Sequence, residues 1–190
     1  MRWITLLCLA GCAEDLRPDP PGDGAVDALP AGSFTTETLP DGTRLSIVDA
    51  SSIEDWIYVD FETLVKVDDT APWDLRFQRF HISTNGGVSG TGGVEVAPLL
   101  GVALDSVTAA PTDGFIADAA DGDDPNPDPD YAFEQGDGWY DYDAMSHVLT
   151  PKANTYVVHT NGGGAIALAV QSYYDTAGTA GWFTFRWKQL

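Results

Sequence analysis

Alternation of apolar and polar side chains is the main local pattern in this chain, and it predicts β-strands. Segment 55–67 places apolar residues, with one Thr, at its odd positions from Ile57 onward, while its even positions include Asp60 and Lys66. A side-chain period of two indicates a half-buried strand. A bend or a tight turn near Glu62-Thr63 is the one interruption that we expect in it.

An aromatic segment, Trp73–Ile82, is the most distinctive part of the chain and predicts a central strand. One face of this strand would carry Leu75, Phe77, Arg79 and His81. The glycine-rich segment 84–93 follows it. That segment lacks the Lys-Ser/Thr ending of a phosphate-binding loop, and no helical pattern comes after it. Its glycines instead favour positive backbone dihedrals or the close approach of another strand.

Shorter patterns predict the remaining strands, at 43–48, 94–97, 103–108, 155–160, 165–174 and 182–187. The run Asn161-Gly162-Gly163-Gly164 predicts a hairpin turn, so the last three strands should form an antiparallel meander. Segment 138–151 is rich in aromatic residues and then turns. No window of twelve or more residues has a helical period. The predicted fold class is therefore mostly β, a single antiparallel β domain over residues 35–190 with few or no helices.

Residues 113–137 form an acidic stretch in which Asp is interleaved with Pro and Gly. This composition predicts an exposed loop. The alternative is a Ca²⁺ site, because carboxylates spaced by one or two residues suit a hard cation. The candidate calcium ligands are Asp121, Asp123 and Asp128. The order of ligands typical of an EF-hand is not present, and three prolines stiffen the stretch, so the loop interpretation is the stronger one.

The N-terminus has the pattern of a bacterial lipoprotein signal. Residues 1–11 carry one positive charge, Arg2, followed by a short apolar run and small residues. The sequence Leu9-Ala10-Gly11-Cys12 resembles a lipobox, which implies acylation of Cys12 and anchoring to a membrane through lipid chains. An ordinary secretory signal with an incidental Cys is the alternative. Residue Ala13 after the Cys is similar to the sorting pattern for the outer membrane or cell surface. Residues 12–34, rich in Pro, Gly and Asp, predict a flexible acylated tether.

Composition and charge exclude several classes of function. The formal net charge is -20, which repels nucleic acid phosphates, so no nucleic acid partner is expected. Both cysteines lie within the first twelve residues, so the domain has no disulfide framework and no thiol chemistry. No nucleophile elbow occurs, and three scattered His residues do not make a metal triad. The sequence therefore predicts that the protein is not an enzyme.

Several short motifs, in their order and spacing, resemble the signature of the HmuY family. They are Trp73-Asp74-Leu75-x-Phe77, Thr84-Asn85-Gly86-Gly87, Trp139-Tyr140-Asp141-Tyr142, Tyr156-Val157-Val158, Ser172-Tyr173-Tyr174 and Phe183-Thr184-Phe185-Arg186-Trp187. The resemblance covers roughly residues 40–190. It implies a mostly β surface lipoprotein that captures or relays haem without catalysis, with an outer-membrane transporter as a candidate partner. The alternative is a surface domain of the same fold that has lost haem coordination and serves adhesion or another ligand.

The resemblance also implies where haem ligands should be found. In the family, His or Met side chains from loops hold the iron on its two axial sides. His147 and Met145, in the loop before Pro151, are the candidates for one side, and His81 is a third candidate. The second family ligand is expected about thirty residues earlier, near 113–124, where the sequence has no His or Met. A packed or structural role is the alternative for each candidate, and His159, beside the hairpin turn, is expected to be exposed.

Overall fold

The structure is a computed structural model that describes residues 32–122 and 127–190. The predicted signal peptide, Cys12 and nearly all of the predicted tether lie outside the described residues, and so does Asp123. Within these described residues, twelve strands form in chain order. They are β1 (Phe34–Thr38), β2 (Arg44–Asp49), β3 (Ile57–Asp60), β4 (Val65–Val67), β5 (Leu75–Gln78), β6 (His81–Thr84), β7 (Glu95–Leu99), β8 (Tyr140–Asp143), β9 (Val148–Pro151), β10 (Thr155–His159), β11 (Ala165–Tyr174) and β12 (Ala180–Gln189). The mostly β prediction is confirmed.

Three antiparallel sheets make up the domain. The largest has six strands in the order β1-β2-β12-β11-β10-β7, and its centre is the predicted C-terminal meander. The second sheet has the order β4-β3-β5-β6, and β8 pairs with β9 as a separate hairpin. The predicted interruption near Glu62-Thr63 is the turn between β3 and β4, so segment 55–67 supplies two strands.

The core lies between the two larger sheets and is strongly aromatic. The ring of Phe77, from β5, stacks on that of Phe185, from β12, with 5.7 Å between centroids. Phe77 also lies 5.3 Å from Phe183, and Phe61 meets Trp187 edge-on at 5.0 Å. All five of these side chains are buried. Aromatic pairs of this kind add roughly 0.5–1.5 kcal/mol each to the stability that burial provides.

The prediction of one central strand over Trp73–Ile82 is wrong, because the segment turns back on itself. β5 ends at Gln78, and Arg79 takes a left-handed conformation with φ 50°. This conformation is uncommon for a residue with a side chain. Two hydrogen bonds hold Arg79 in this conformation. Its backbone N–H donates to the Ala50 carbonyl at 2.7 Å, and its guanidinium donates to the Ser51 carbonyl at 3.0 Å.

The turn changes the face on which His81 lies. Phe77 pairs with Ile82, and Gln78 pairs with His81. Residues directly opposite each other in an antiparallel pair share a face, and successive residues alternate between faces. Phe77 and Ile82 therefore both face the core, while His81 lies on the other side of the small sheet. The predicted shared face of Phe77 and His81 does not exist.

Two other predictions of local structure need correction, and a third segment is more regular than the sequence indicated. Segment 103–108 is not a strand but contains a 3₁₀ turn over Leu104–Ser106. The acidic stretch 113–137 is not wholly exposed, because Asp118, Tyr131 and Phe133 are buried. Segment 138–151 contains the β8–β9 hairpin, which the sequence pattern did not resolve into strands.

The glycine-rich segment between β6 and β7 has glycines where other chain segments approach closely. A Cβ on Gly86 would lie 2.0 Å from the Val94 carbonyl oxygen, and one on Gly87 would lie 1.8 Å from that of Asp118. Gly87 also has φ +56°. These two positions therefore require Gly, and the prediction of close backbone approach is confirmed.

Candidate functional site

A cavity of about 390 Å³ lies where segment 128–138 meets β6 and β8. This volume falls within the range of roughly 300–1,000 Å³ that small-molecule sites occupy. β6 supplies His81 to its wall, and β8 supplies Tyr140 and Tyr142. The other side chains of its wall come from segment 128–138, among them Tyr131 and Glu134. The cavity thus combines an imidazole, three phenol rings and several carboxylates.

His81 is held in this wall by aromatic neighbours. Its ring centroid lies 4.1 Å from that of Phe80, 5.0 Å from that of Tyr131 and 6.5 Å from that of Trp56. Trp56 in turn has the guanidinium of Arg76 over its ring at 4.4 Å, a cation–π contact. His81 is therefore a packed side chain, which is one of the roles that the sequence offered for it. Its imidazole also borders the cavity.

A hydrogen bond joins His81 to Glu134, with 2.9 Å between Nδ1 and Oε1. An ionised carboxylate can only accept, so the proton of this contact lies on Nδ1, and in the neutral imidazole the lone pair is then on Nε2. Burial raises the pKa of Glu134, and the hydrogen bond from His81 opposes that rise. Metal-binding imidazoles are commonly oriented by such a carboxylate on the other ring nitrogen. The His81–Glu134 pair has this arrangement.

Asp118 fixes the segment that brings Tyr131 and Glu134 to the cavity. Its buried carboxylate accepts hydrogen bonds from the Ser83 hydroxyl, the Thr84 hydroxyl and the Thr84 backbone N–H, all in β6. It also accepts one from the backbone N–H of Ala132, at 2.9 Å. One side chain thus ties β6, which carries His81, to the turn that begins at Tyr131.

The cavity has a strongly acidic lining. Its wall includes five carboxylates, from Asp128, Asp130, Glu134, Asp137 and Asp141, which we call the carboxylate rim. Lys152 lies beside two of them, with Nζ 2.9 Å from Asp137 Oδ1 and 3.4 Å from Asp141 Oδ1. The charges of Asp137 and Asp141 are therefore partly balanced.

The β8–β9 hairpin carries the other two predicted haem ligands. His147 is exposed and has φ 57°, and its Nδ1 is 2.5 Å from the hydroxyl of Tyr142. Tyr142 lines the cavity, so His147 contacts the cavity wall through Tyr142. Met145 sits at the hairpin tip with 93% of its side chain exposed, and it is not part of the wall. The structure thus brings His81 and the Tyr142–His147 pair to the same region.

The remaining candidates from the sequence are placed elsewhere. His159 is not fully exposed as expected, because its ring stacks on Phe115 with 3.8 Å between centroids. Asp121 is exposed, and Asp128 is exposed at the mouth of the cavity. Neither belongs to a group of three potential metal ligands among the described residues. A calcium site that involves them stays a prediction.

One acidic group that the sequence did not single out lies at the other end of the small sheet. Asp60, Glu62 and Asp74 bring carboxylate oxygens within 4.8 Å of one another. Asp74 is buried, and its two oxygens accept the backbone N–H groups of Phe61 at 2.8 Å and Asn161 at 2.7 Å. Burial raises the pKa of Asp74 to about 7. These bonds tie the β3–β4 turn to the β10–β11 turn, so Asp74 has a structural role.

Sequence reasoning missed Glu134 and Tyr131, because both lie in the stretch that composition assigned to an exposed loop. The one feature of the sequence that could have indicated them is their spacing of three residues, which one turn of backbone would place side by side. The backbone N–H of Glu134 donates to the Tyr131 carbonyl in one helical turn, which places both side chains toward β6. An aromatic and an acidic residue at this spacing, in an otherwise polar stretch, indicates a turn that packs on the domain.

The fold and this cavity define an antiparallel β protein with the geometry of a small-ligand-binding site. In the described residues, no helix has the length and apolar character needed to cross a membrane. A family profile described as HmuY protein matches residues 52–187. The chain belongs to the HmuY family, as its motifs predicted.

Solved structures of HmuY-like proteins share the fold. A proposed HmuY-like haem-binding protein from Bacteroides vulgatus has a TM-score of 0.62 at 17% identity, over 82% of this chain and 96% of the other. The apo form of an HmuY analogue from Tannerella forsythia has a TM-score of 0.60 at 15% identity, over 84% and 97%. A proposed lipoprotein from Bacteroides fragilis has a TM-score of 0.59 at 22% identity, over 82% and 93%. No curated protein matches the chain.

Proposed function

We propose that this protein captures or relays haem at the cavity beside β6, where His81 would be a ligand to the iron. The observation that carries the proposal is the His81–Glu134 hydrogen bond in the cavity wall, because it leaves Nε2 as the free, oriented donor. Membership of the HmuY family and the described haem-binding protein from Bacteroides vulgatus support the choice of haem. When bound, haem would supply the iron, and the protein would supply orientation without catalysis.

The residues of the cavity fit haem in two respects. An imidazole is a usual haem ligand, and phenol rings such as Tyr131 and Tyr140 offer flat apolar surfaces. His147 and Met145 on the hairpin would be the candidates for a second ligand. His147 has the stronger support of the two, because its partner Tyr142 already lines the cavity.

The location of the protein is part of the proposal. A signal peptide over residues 1–11, acylation of Cys12 and a flexible tether over residues 12–34 would hold the β domain at the outer membrane or cell surface. The Bacteroides fragilis relative, described as a proposed lipoprotein, supports this placement. A haem carrier at that surface would deliver its ligand to an outer-membrane transporter.

A haemin titration of the purified protein, followed by absorbance in the Soret region, tests the assignment. We expect a saturable, sharpened Soret band that His81→Gln weakens at least tenfold in affinity. Gln can still donate to Glu134, so this variant removes the imidazole while keeping the neighbouring contact. The matched control is His159→Gln, which removes an imidazole outside the cavity and should leave binding unchanged.

Variants of the hairpin ligands complete the test. His147→Gln should change the position or width of the Soret band more than Met145→Leu does. If a variant that lacks His81, His147 and Met145 together gives the same spectrum and affinity as the unmodified protein, haem coordination by these residues is refuted.

A second function is favoured by one observation, the acidic lining of the same cavity. Five carboxylates and three tyrosines suit an organic cation, which carboxylates attract and aromatic faces stabilise. In this case the domain would keep the HmuY fold without coordinating haem, and it would act in adhesion or bind another ligand. A protein that gives no saturable Soret change with haemin would support this alternative.

A further inference from the structure

The hydrogen bond between His81 and Glu134 lies in a part of the cavity wall that water reaches poorly. The side chain of His81 is 14% exposed, and that of Glu134 is 22% exposed. The rings of Phe80 and Tyr131 lie 4.1 Å and 5.0 Å from the imidazole, between centroids. Charges in such surroundings are screened weakly, so the carboxylate acts on the imidazole more strongly than it would at an open surface.

The turn that carries Glu134 is fixed by bonds that do not involve His81. The side chain of the next residue, Gln135, donates through Nε2 to the Ala117 carbonyl at 3.2 Å and to the Asp130 carbonyl at 2.8 Å. A variant of Glu134 that keeps the shape of the side chain is therefore expected to fold. The charge on the partner of His81 can then be changed without moving the segment.

A carboxylate bonded to one nitrogen of an imidazole changes what the other nitrogen binds well. His81 Nδ1 donates to Glu134 at 2.9 Å, which draws electron density toward Nε2 and makes that nitrogen more basic. Ferric iron in a porphyrin carries one positive charge more than ferrous iron. A more basic nitrogen that is backed by a carboxylate therefore stabilises the ferric form more than the ferrous form.

We propose that Glu134 is a positioning residue that acts through His81 and makes the cavity select ferric over ferrous haem. This inference rests on the proposed haem function and adds an oxidation state to its ligand. The other residues of the carboxylate rim also attract positive charge. Asp141, for example, forms its ion pair with Lys152 rather than with His81. The direct bond to the imidazole is what distinguishes Glu134 from such a residue.

Two titrations of the purified protein measure this selection, one with haemin in air and one with haem that excess dithionite keeps reduced under anaerobic conditions. Each iron gains one electron from dithionite, which is oxidised to sulfite. Both titrations are made at pH 8, which favours ionised carboxylates, with the unmodified protein and with Glu134→Gln. The amide oxygen of Gln still accepts from Nδ1, so this variant keeps the orienting bond and removes the charge.

We expect the ratio of ferric to ferrous affinity to fall at least tenfold in Glu134→Gln. For a one-electron couple this change is equivalent to a rise of about 59 mV in the reduction potential of the bound haem. A second variant, Glu134→Leu, removes the acceptor as well as the charge. It should lower the same ratio and also weaken both affinities, and thermal melting checks that each variant folds.

Asp141→Asn is the comparison variant, because it removes one charge from the same wall and leaves the His81–Glu134 bond in place. It should change the ratio less than Glu134→Gln does. If both affinities fall in parallel in Glu134→Gln, or if Asp141→Asn changes the ratio as much, the selection through His81 is overturned and haem binding stands. If the unmodified protein binds haem in neither oxidation state, the proposed function itself is refuted, and the selection falls with it.

Discussion

Replacing Asp118 by Asn should destabilise the whole domain, although the two side chains have nearly the same shape. The carboxylate accepts four hydrogen bonds, two at each oxygen. An amide has one oxygen, so its NH₂ group must face one pair of donors. The hydroxyls of Ser83 and Thr84 can rotate away, but the backbone N–H groups of Thr84 and Ala132 cannot.

The magnitude follows from this count. A buried N–H that loses its acceptor costs about 1–3 kcal/mol, and the remaining bonds lose the additional strength that a charged acceptor gives them. We therefore expect Asp118→Asn to lower the free energy of unfolding by about 3 kcal/mol, which is a large part of the roughly 5–15 kcal/mol that stabilises a typical domain. For a domain of this size the melting temperature should fall by roughly 6–12 °C.

Urea unfolding followed by tryptophan fluorescence measures this change, and Asp121→Asn is the control. Asp121 lies in the same acidic stretch but is exposed, so its replacement should stay within about 0.5 kcal/mol of the unmodified protein. If Asp118→Asn behaves like Asp121→Asn, then the acidic stretch is an ordinary surface loop after all, and our account of how the cavity is held together is wrong.

Three further predictions concern Asp74, His147 and Gly87. The pKa of Asp74 is about 7 in the folded protein, against about 3.9 in an unfolded chain. The folded state therefore holds a proton that the unfolded state releases, and stability should fall by a few kcal/mol as the pH rises from about 4 to about 7. The free energy of unfolding should differ less between pH 4.5 and pH 7.5 in Asp74→Asn than in the unmodified protein. An equal difference in the two proteins would contradict the raised pKa of Asp74. His147→Gly should leave stability unchanged or raise it by up to about 1 kcal/mol, because Gly adopts φ 57° without strain; a clear drop in the melting temperature would speak against this. Gly87→Ala should cost more than about 3 kcal/mol through its clash with the Asp118 carbonyl, whereas Gly93→Ala, also at positive φ but with open space around its Cβ, should cost only about 1 kcal/mol. Similar losses in the two variants would refute the close approach.

The sequence was informative wherever a strand has one buried face and a regular partner. Segment 165–174 was predicted with the bounds of β11, because its apolar alternation and the glycine turn before it agree. The failure at Trp73–Ile82 has a physical cause. Arg79 adopts a left-handed conformation that tertiary hydrogen bonds to Ala50 and Ser51 support, and no local preference of Arg indicates it.

The candidate site was harder to predict, because its parts come from segments far apart in the chain. His81 and Glu134 are 53 residues apart, and Asp118, which joins their segments, resembles its exposed acidic neighbours in composition. Burial distinguishes Asp118 from Asp121, and burial depends on the complete fold. The family resemblance implied a class of ligand to test, but the pairing of His81 with Glu134 is visible only in three dimensions.

The short turn at Arg79 has a consequence for protein design. Because Gln78 and His81 are direct partners on the face away from the core, their Cβ atoms should lie about 4.5–5.5 Å apart. Position 78 is therefore a natural place for a second imidazole, and Gln78→His would put two nitrogen ligands side by side on a rigid two-stranded ribbon. Such a pair supplies two of the four ligands of a tetrahedral zinc site. The fold therefore offers a starting point for an engineered metal sensor. The fluorescence of Trp56, whose ring lies 6.5 Å from that of His81, would report whether the metal is bound.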